Sequence, residues 1–325
     1  MNPEATGRGM VRASFCDGGR VSDNTRRRTL LGVLAMIACS VIWGLSPLYY
    51  RLLGHLPPAD ILAHRTIWSF FLFFGVLVWQ GRAGALRGAV SGARQLGWIF
   101  VAALMISINW FLFIFAVQVE RVTETSLGYY FFPLVSVLFG FVLFGERLSV
   151  AQWVAVALAG IAVLVLTVGL GAAPWISLVL AVTFGTYGVL KKQVATGPVV
   201  SVTAEVLVLA PIAVVWLAVF SASGVPDLAT WGLLVMTGPM TAGPLILFSY
   251  GAKRIRLATA GLLNYLNPTL QFLCAVTVLS EPFFLTHMIA FPLIWLALAM
   301  YSWSSIGQDR VARMASAKDV TSGTV

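Results

Sequence analysis

The sequence predicts an all-α membrane protein of about ten transmembrane helices, arranged as two inverted five-helix repeats. Three observations predict it: the scarcity of charge, the lysine and arginine asymmetry, and an internal echo at a fixed offset. Hydrophobic residues make up 59% of the 325 residues and charged residues 10%. A soluble domain carries roughly a quarter charged residues, so most of this surface must face lipid. The net charge of +9 does not imply nucleic acid, because the basic residues fall one to three at a time between apolar runs.

A helix crosses about 30 Å of hydrocarbon in about 20 residues. Apolar runs between polar breaks give spans at 29–53, 60–80, 96–118, 122–145, 150–170, 173–192, 198–220, 229–252, 256–280 and 283–306. Residues 1–28 read as a disordered cytoplasmic tail and not as a signal peptide, because the apolar run after Arg26-Arg27-Arg28 is too long for a cleavable core. The first repeat covers 29–170 and the second 173–306, with 307–325 as a cytoplasmic tail. If the N-terminus is inside, the inner segments hold 18 of the 21 lysines and arginines and the outer side only Arg51 and Arg121. Arg65 lies inside the second span. This asymmetry places both termini in the cytoplasm of a multi-pass plasma-membrane protein.

The second half repeats the first. Ser126 to Pro133 matches Gly261 to Pro268, and Glu146 matches Glu281, all 135 residues apart. Trp43-Gly44 matches Phe184-Gly185. An odd number of helices per repeat forces the second copy to enter from the opposite side, which sets Glu146 inside and Glu281 outside. Inverted repeats of this kind build many secondary transporters, with the site near the midplane.

The residues Ile42-Trp43-Gly44-Leu45-Ser46-Pro47, Leu62-Ala63-His64-Arg65 with Trp68-Ser69, Asn109-Trp110 and Ser126 to Pro133 carry a family resemblance. So do Phe184 to Gly188, Tyr265 to Phe272 and Phe291 to Tyr301. Over roughly 29–306 the chain resembles the RarD family within the EamA and drug/metabolite transporter superfamily. The resemblance implies a ten-helix inner-membrane permease of bacterial type. It also implies a substrate cavity among helices one to four and six to nine, with helices five and ten outside it.

Candidate site residues follow from chemistry. An ionisable group in hydrocarbon costs at least about 2.5 kcal/mol at a span centre, so it calls for a reason. Arg65 reads either as an anion or carboxylate clamp, or as an arginine snorkelling outward beside Asp60. Its neighbour His64 shares a helical face with Asp60 and Trp68. Glu205 occupies the repeat position opposite His64 and Arg65. It reads as a cation contact or proton carrier, or as a structural partner of Lys191 or Lys192; a direct pair with Arg65 is not expected. Asn264, Asn267 and Gln271 recur on one face of span nine, either lining a cavity or joining helices. The equivalent Tyr129, Phe132 and Ser136 make the opposite wall aromatic. Trp43, Asn109, Trp110, Tyr250 and Tyr265 complete a lining suited to a medium-sized, partly apolar substrate.

Other features read structurally. Pro47, Pro133, Pro239, Pro244 and Pro268 interrupt spans as hinges or as static kinks. Glu146 and Glu281 precede helices and favour their N-terminal dipoles, and Ser149 with Gln152 fits a capping box. Tyr49, Tyr50, Trp79 and Trp303 read as interfacial anchors. Cys16, Cys39 and Cys274 show no metal or disulfide spacing, and no cofactor is implied. The partners are a small-molecule substrate and the bilayer, with a homodimer left open. The leading function is a secondary carrier, since no GxxxxGK[ST] motif is present for ATP hydrolysis. A channel or lipid scramblase is the alternative. An enzyme is disfavoured by the lack of an HExxH, GxSxG or paired-carboxylate motif.

Overall fold

Pro58 and Pro198 each open a helix, and they mark equivalent points of the two halves. Proline suits the first helical position, where its missing N–H is not needed. The computed structural model describes the backbone of residues 17–322 except 146, 172, 195, 222, 223, 225 and 256. Side chains are described for 27–304, with 144, 192, 257 and 258 as further exceptions. The first half comprises α1 (Asp17–Leu52), α2 (Pro58–Trp79), the short α3 (Gly84–Ala89), α4 (Ala93–Gln118), α5 (Val122–Phe144) and α6 (Val150–Leu170). The second comprises α7 (Trp175–Gln193), α8 (Pro198–Val219), α9 (Leu228–Ala252), α10 (Leu257–Asn264), α11 (Leu266–Leu273), a π turn (Cys274–Val278) and α12 (Leu285–Ser322).

Among the described residues, eight helices are long and apolar enough to cross a membrane, and Trp175–Lys191 forms a shorter apolar one. The ninth segment, expected as one helix over 256–280, is broken. Pro268 has no N–H to give the carbonyl of Asn264 and its ring crowds that carbonyl. The chain therefore turns at Tyr265, between α10 and α11, and runs into the π turn, where the Leu279 N–H donates to the Cys274 carbonyl at 2.9 Å. Helix α1 starts at Asp17 and α12 runs to Ser322, so both project past the apolar stretch. The unstructured tail expected through residue 28 is thus helical from Asp17, the remainder lying outside the described residues. A spanning helix is already nucleated and propagates into a flank without proline. The loop expected at 81–94 holds α3, whose Leu86 and Ala89 pack with Leu77, Ile99 and Val200 across the ends of α2, α4 and α8.

The halves run in opposite directions. Three pairs of equivalent helices, α2 with α8, α5 with α11 and α6 with α12, pack antiparallel to each other. Asp60 near the start of α2 accepts hydrogen bonds from Trp216 Nε1 (2.8 Å) in the last turn of α8 and from Ser221 Oγ (2.7 Å) just beyond it. The Ser126 hydroxyl in α5 donates to the Pro268 carbonyl of α11 at 2.8 Å. Ser149 before α6 meets Ser304 in α12 at 2.8 Å, while Gly169 at the far end of α6 lies against Thr286. The exchange holds for unlike neighbours too. Helix α1 packs on α9 and α11, and α7 packs on α4 and α5, as the repeat requires. Gly44 lets α1 approach α11, where a methyl group would sit 2.6 Å from Leu270 Cβ; at the equivalent Gly185 of α7 it would sit 3.0 Å from Val135 Cγ1.

The C-terminal ends of α1, α4, α6 and α8 and the N-terminal ends of α2, α5, α7, α9 and α12 gather at one end of the bundle, and the start of α1 and the end of α12 lie at the other. Glu281 belongs to the first end. Glu146 is outside the described residues, but its neighbours Gly145 and Arg147 lie at the second end, after α5 has crossed. Leucine, valine and aromatic side chains remain exposed along the flanks, among them Phe71, Leu164, Val168 and Val215, as a lipid-facing rim requires. Helices α6 and α12 pair with each other at the periphery, as the resemblance implies for helices five and ten.

Candidate functional site

Arg65 sits seven residues into α2, roughly 10 Å below the first end at 1.5 Å per residue. It does not reach the surface, having 6% exposure. Its guanidinium carbon lies 4.2 Å from the centre of the Trp110 ring and 5.6 Å from that of Tyr50. Trp110 comes from α4 and Tyr50 from α1, so three helices of one half enclose the charge. The pairing with Asp60 does not form: that carboxylate is taken by Trp216 and Ser221 of α8. Among the described residues no carboxylate lies within ion-pair distance of Arg65, and its Nε has no hydrogen-bond partner. Trp68 Nε1 and Ser69 Oγ, one turn further along α2, are likewise buried without partners.

Asn109 and Tyr129 adjoin this centre. The Asn109 amide donates to the Leu180 carbonyl (3.0 Å) and to Thr183 Oγ1 (3.1 Å), and its oxygen accepts from the Tyr129 hydroxyl (3.1 Å). Asn109 is thus a junction of α4, α5 and α7. The Tyr129 ring stands edge-on to Phe184 at 5.9 Å, and Phe184 also meets Phe132 at 4.7 Å. These rings pack on one another between α5 and α7.

Glu205 holds the equivalent depth from the opposite end, and it is satisfied. Lys191 Nζ lies 2.6 Å from Oε1, the Ser201 hydroxyl donates at 2.9 Å and the Tyr187 hydroxyl at 3.0 Å. The structural pairing with Lys191 is the one that forms, and no Glu205–Arg65 contact exists.

Asn264, Asn267 and Gln271 do not form one continuous stripe, because the break at Tyr265 separates the first from the others. Gln271 donates to Asn267 at 2.9 Å and accepts from the Thr125 hydroxyl at 2.9 Å, both buried where α5 meets α11. Gln271 thus joins α11 to α5, and Asn267 holds Gln271 from within α11. The Tyr265 ring stacks with Tyr130 at 6.5 Å among the side chains packed against α12, away from Arg65. Trp43 meets Phe248 of α9 at 6.5 Å. Tyr250 lies at the second end under the Arg254 guanidinium, 3.4 Å from the ring centre.

His64 turns away from Arg65. It meets Trp231 edge-on at 5.3 Å and lines a cavity of about 270 Å³ at the first end with Asp60, Ser221 and Trp231. The side chains missed by sequence reasoning are Tyr50, Tyr187 and Thr125. Tyr50, expected as an interfacial anchor, is 2% exposed and packs in the core against Phe113. A tyrosine beside a proline-bearing span end reads as an anchor from sequence; only the helix's rotation turns it inward. Pro211 and Pro292 are further intrahelical prolines. Glu281 also differs from expectation. It caps α5 rather than α12, accepting from the backbone N–H groups of Val122 (2.5 Å) and Thr123 (2.7 Å) and from the Thr123 hydroxyl (2.7 Å). The capping box of Ser149 and Gln152 forms as read. No group of three metal-ligating side chains comes together among the described residues.

The chain's relatives agree with this architecture. The model of the EamA-like transporter family matches residues 30–168. Protein RarD of Streptomyces exfoliatus is 41% identical over 287 residues, 87% of this chain and 91% of the relative. An uncharacterized transporter of Bacillus subtilis, YojE, is 39% identical over 88% of this chain and 98% of its own. Protein RarD of Escherichia coli is 36% identical over 87% and 98%. One crystal structure, 21% identical, superposes with a TM-score of 0.57 over 85% of this chain and 96% of that one, which shows the shared fold. With such identity over nearly the full length of its relatives, the chain belongs to the RarD family of EamA-like membrane transporters.

Proposed function

We propose that this transporter is a secondary carrier that moves small metabolites or drug-like molecules by alternating access. The observation that carries the reading is the antiparallel packing of equivalent helices, α2 on α8, α5 on α11 and α6 on α12. In such a bundle, exchanging the conformations of the two halves converts an opening at one end into an opening at the other, with one site between them. The candidate centre is the group of Arg65, Trp110, Tyr50, Tyr129 and Asn109. Helices α6 and α12, outside this group, support the bundle. The 18-to-2 division of lysine and arginine supports cytoplasmic termini in a bacterial plasma membrane.

The test is a thermal-shift screen of the purified protein against amino acids, nucleosides, drugs and metabolites, followed by exchange of the best hit in proteoliposomes. A carrier takes up labelled compound saturably and faster when the unlabelled compound is preloaded inside. Flux that rises linearly with concentration and ignores the preload would establish a channel instead.

A further inference from the structure

Arg65, Trp68 and Ser69 stand at i, i+3 and i+4 of α2, which places them on one face of the helix. Each has a buried polar atom without a partner: Arg65 Nε, Trp68 Nε1 and Ser69 Oγ. Arg65 and Ser69 are themselves 6% and 0% exposed. A guanidinium and an indole N–H are donors only, and a serine hydroxyl donates readily, so the face offers hydrogens and asks for an acceptor. It extends from roughly 10 to 16 Å below the first end, into the middle of a 30 Å core.

The charge balance points the same way. The Arg65 guanidinium is a cationic group on a buried side chain. Trp110 lies against the guanidinium and Tyr50 also hydrogen-bonds to it, which leaves the Nε–H for a ligand. Two carboxylates in the spans have other partners: Asp60 is held by Trp216 and Ser221, and Glu205 by Lys191. The equivalent face of α8 carries Val208 and Leu209 in place of Trp68 and Ser69, so the donor strip belongs to one half alone.

We infer that the Arg65–Trp68–Ser69 face binds the carboxylate of the transported molecule, with Trp110 and Tyr50 receiving an aromatic or otherwise apolar body. This rests on the carrier reading for its meaning, but binding alone can be measured without it. The counter-ion arrives with the substrate, and charge-assisted hydrogen bonds then satisfy the strip.

The test uses the full chain in lipid nanodiscs with benzoate as probe and benzamide, its neutral isostere, as control. Tryptophan fluorescence gives the two dissociation constants. Benzoate is expected to bind at least about tenfold more tightly than benzamide. Arg65→Gln should bring the two within about twofold of each other. Ser69→Ala, the milder change, should weaken benzoate by about threefold and leave benzamide unchanged, which keeps the test open if Arg65→Gln does not fold. Equal or absent binding of the two probes to the parent protein overturns the inference, as does a benzoate preference that survives in folded Arg65→Gln. Exchange of labelled benzoate across proteoliposomes separates the two readings. Selective binding without exchange keeps the anion site and removes the carrier.

Discussion

Arg65 and Glu205 hold the same place in opposite halves, each seven residues after the proline that opens its helix, yet only Glu205 has an ionic partner. The repeat thus carries opposite charges at equivalent depths and treats them differently. Lys191, Ser201 and Tyr187 close around the carboxylate. Around the guanidinium there are rings.

The Lys191–Glu205 pair should therefore be structural. Removing one member of a buried pair leaves the other charge uncompensated, at about 3–5 kcal/mol in enclosed sites. Lys191 is 23% exposed, so Lys191→Met is expected to cost somewhat less, about 2–3 kcal/mol. The double variant with Glu205→Gln should recover most of the loss. Thermal unfolding in detergent measures both; a double variant no more stable than the single one would contradict the pairing.

Glu281 ties the two halves through the N-terminus of α5. A carboxylate on free helical N–H groups is worth about 1–2 kcal/mol. Glu281→Ala should lose this and Glu281→Gln about half of it, while Glu281→Asp, one methylene shorter, should lose the second contact. Unfolding temperatures that rank alanine level with the parent would remove the cap.

Close helix approach at Gly44 should be intolerant of size. A Cβ there meets Leu270 Cβ at 2.6 Å and the Asn267 carbonyl at 3.1 Å. Gly44→Val is expected to cost about 1–3 kcal/mol by overpacking, and Gly75→Val, where no atom lies within 4 Å, much less. Equal stability of the two variants would show that α1 and α11 are not in register.

Asp227 gives a pH signature outside the membrane. Its carboxylate caps α9, accepting from Thr230, whose hydroxyl and backbone N–H hold its pKa below the ordinary aspartate value. A depressed folded-state pKa contributes stability above the unfolded value, near 3.9, and that contribution is lost as pH falls through the folded one. The parent should accordingly be more stable than Asp227→Ala at neutral pH, with the gap closing in acid. Asp227→Asn, which caps without titrating, should narrow the gap at all pH values. A gap that is constant with pH contradicts the assignment.

Much of the fold was legible because lipid leaves few choices. Charge scarcity, the length of apolar runs and the 135-residue echo are one-dimensional signals, and they gave the helix order and the inversion. The break at Tyr265 was signalled by Pro268, but its consequence was not, because a proline kinks or breaks a helix according to what packs behind it. The site was less legible. Arg65 and Glu205 stand out by charge alone. Which of them is satisfied depends on the rotation of α1 and α7, which brings Tyr50 beside one and Lys191 beside the other. No periodicity within a span records that rotation when most faces are apolar. Asn267 and Gln271 look the same in sequence whether they face a cavity or Thr125.

The most direct test of alternating access uses two label pairs related by the repeat, Ala93 with Arg147 at the second end and Leu228 with Pro282 at the first. All four positions are exposed, and the pairs are offset by 135 residues. Spin-label distances in nanodiscs, with and without a bound substrate, should show the two pairs changing in opposite senses, one lengthening as the other shortens. Distances that stay fixed in both pairs, or lengthen together, would contradict a carrier built from two exchanging halves.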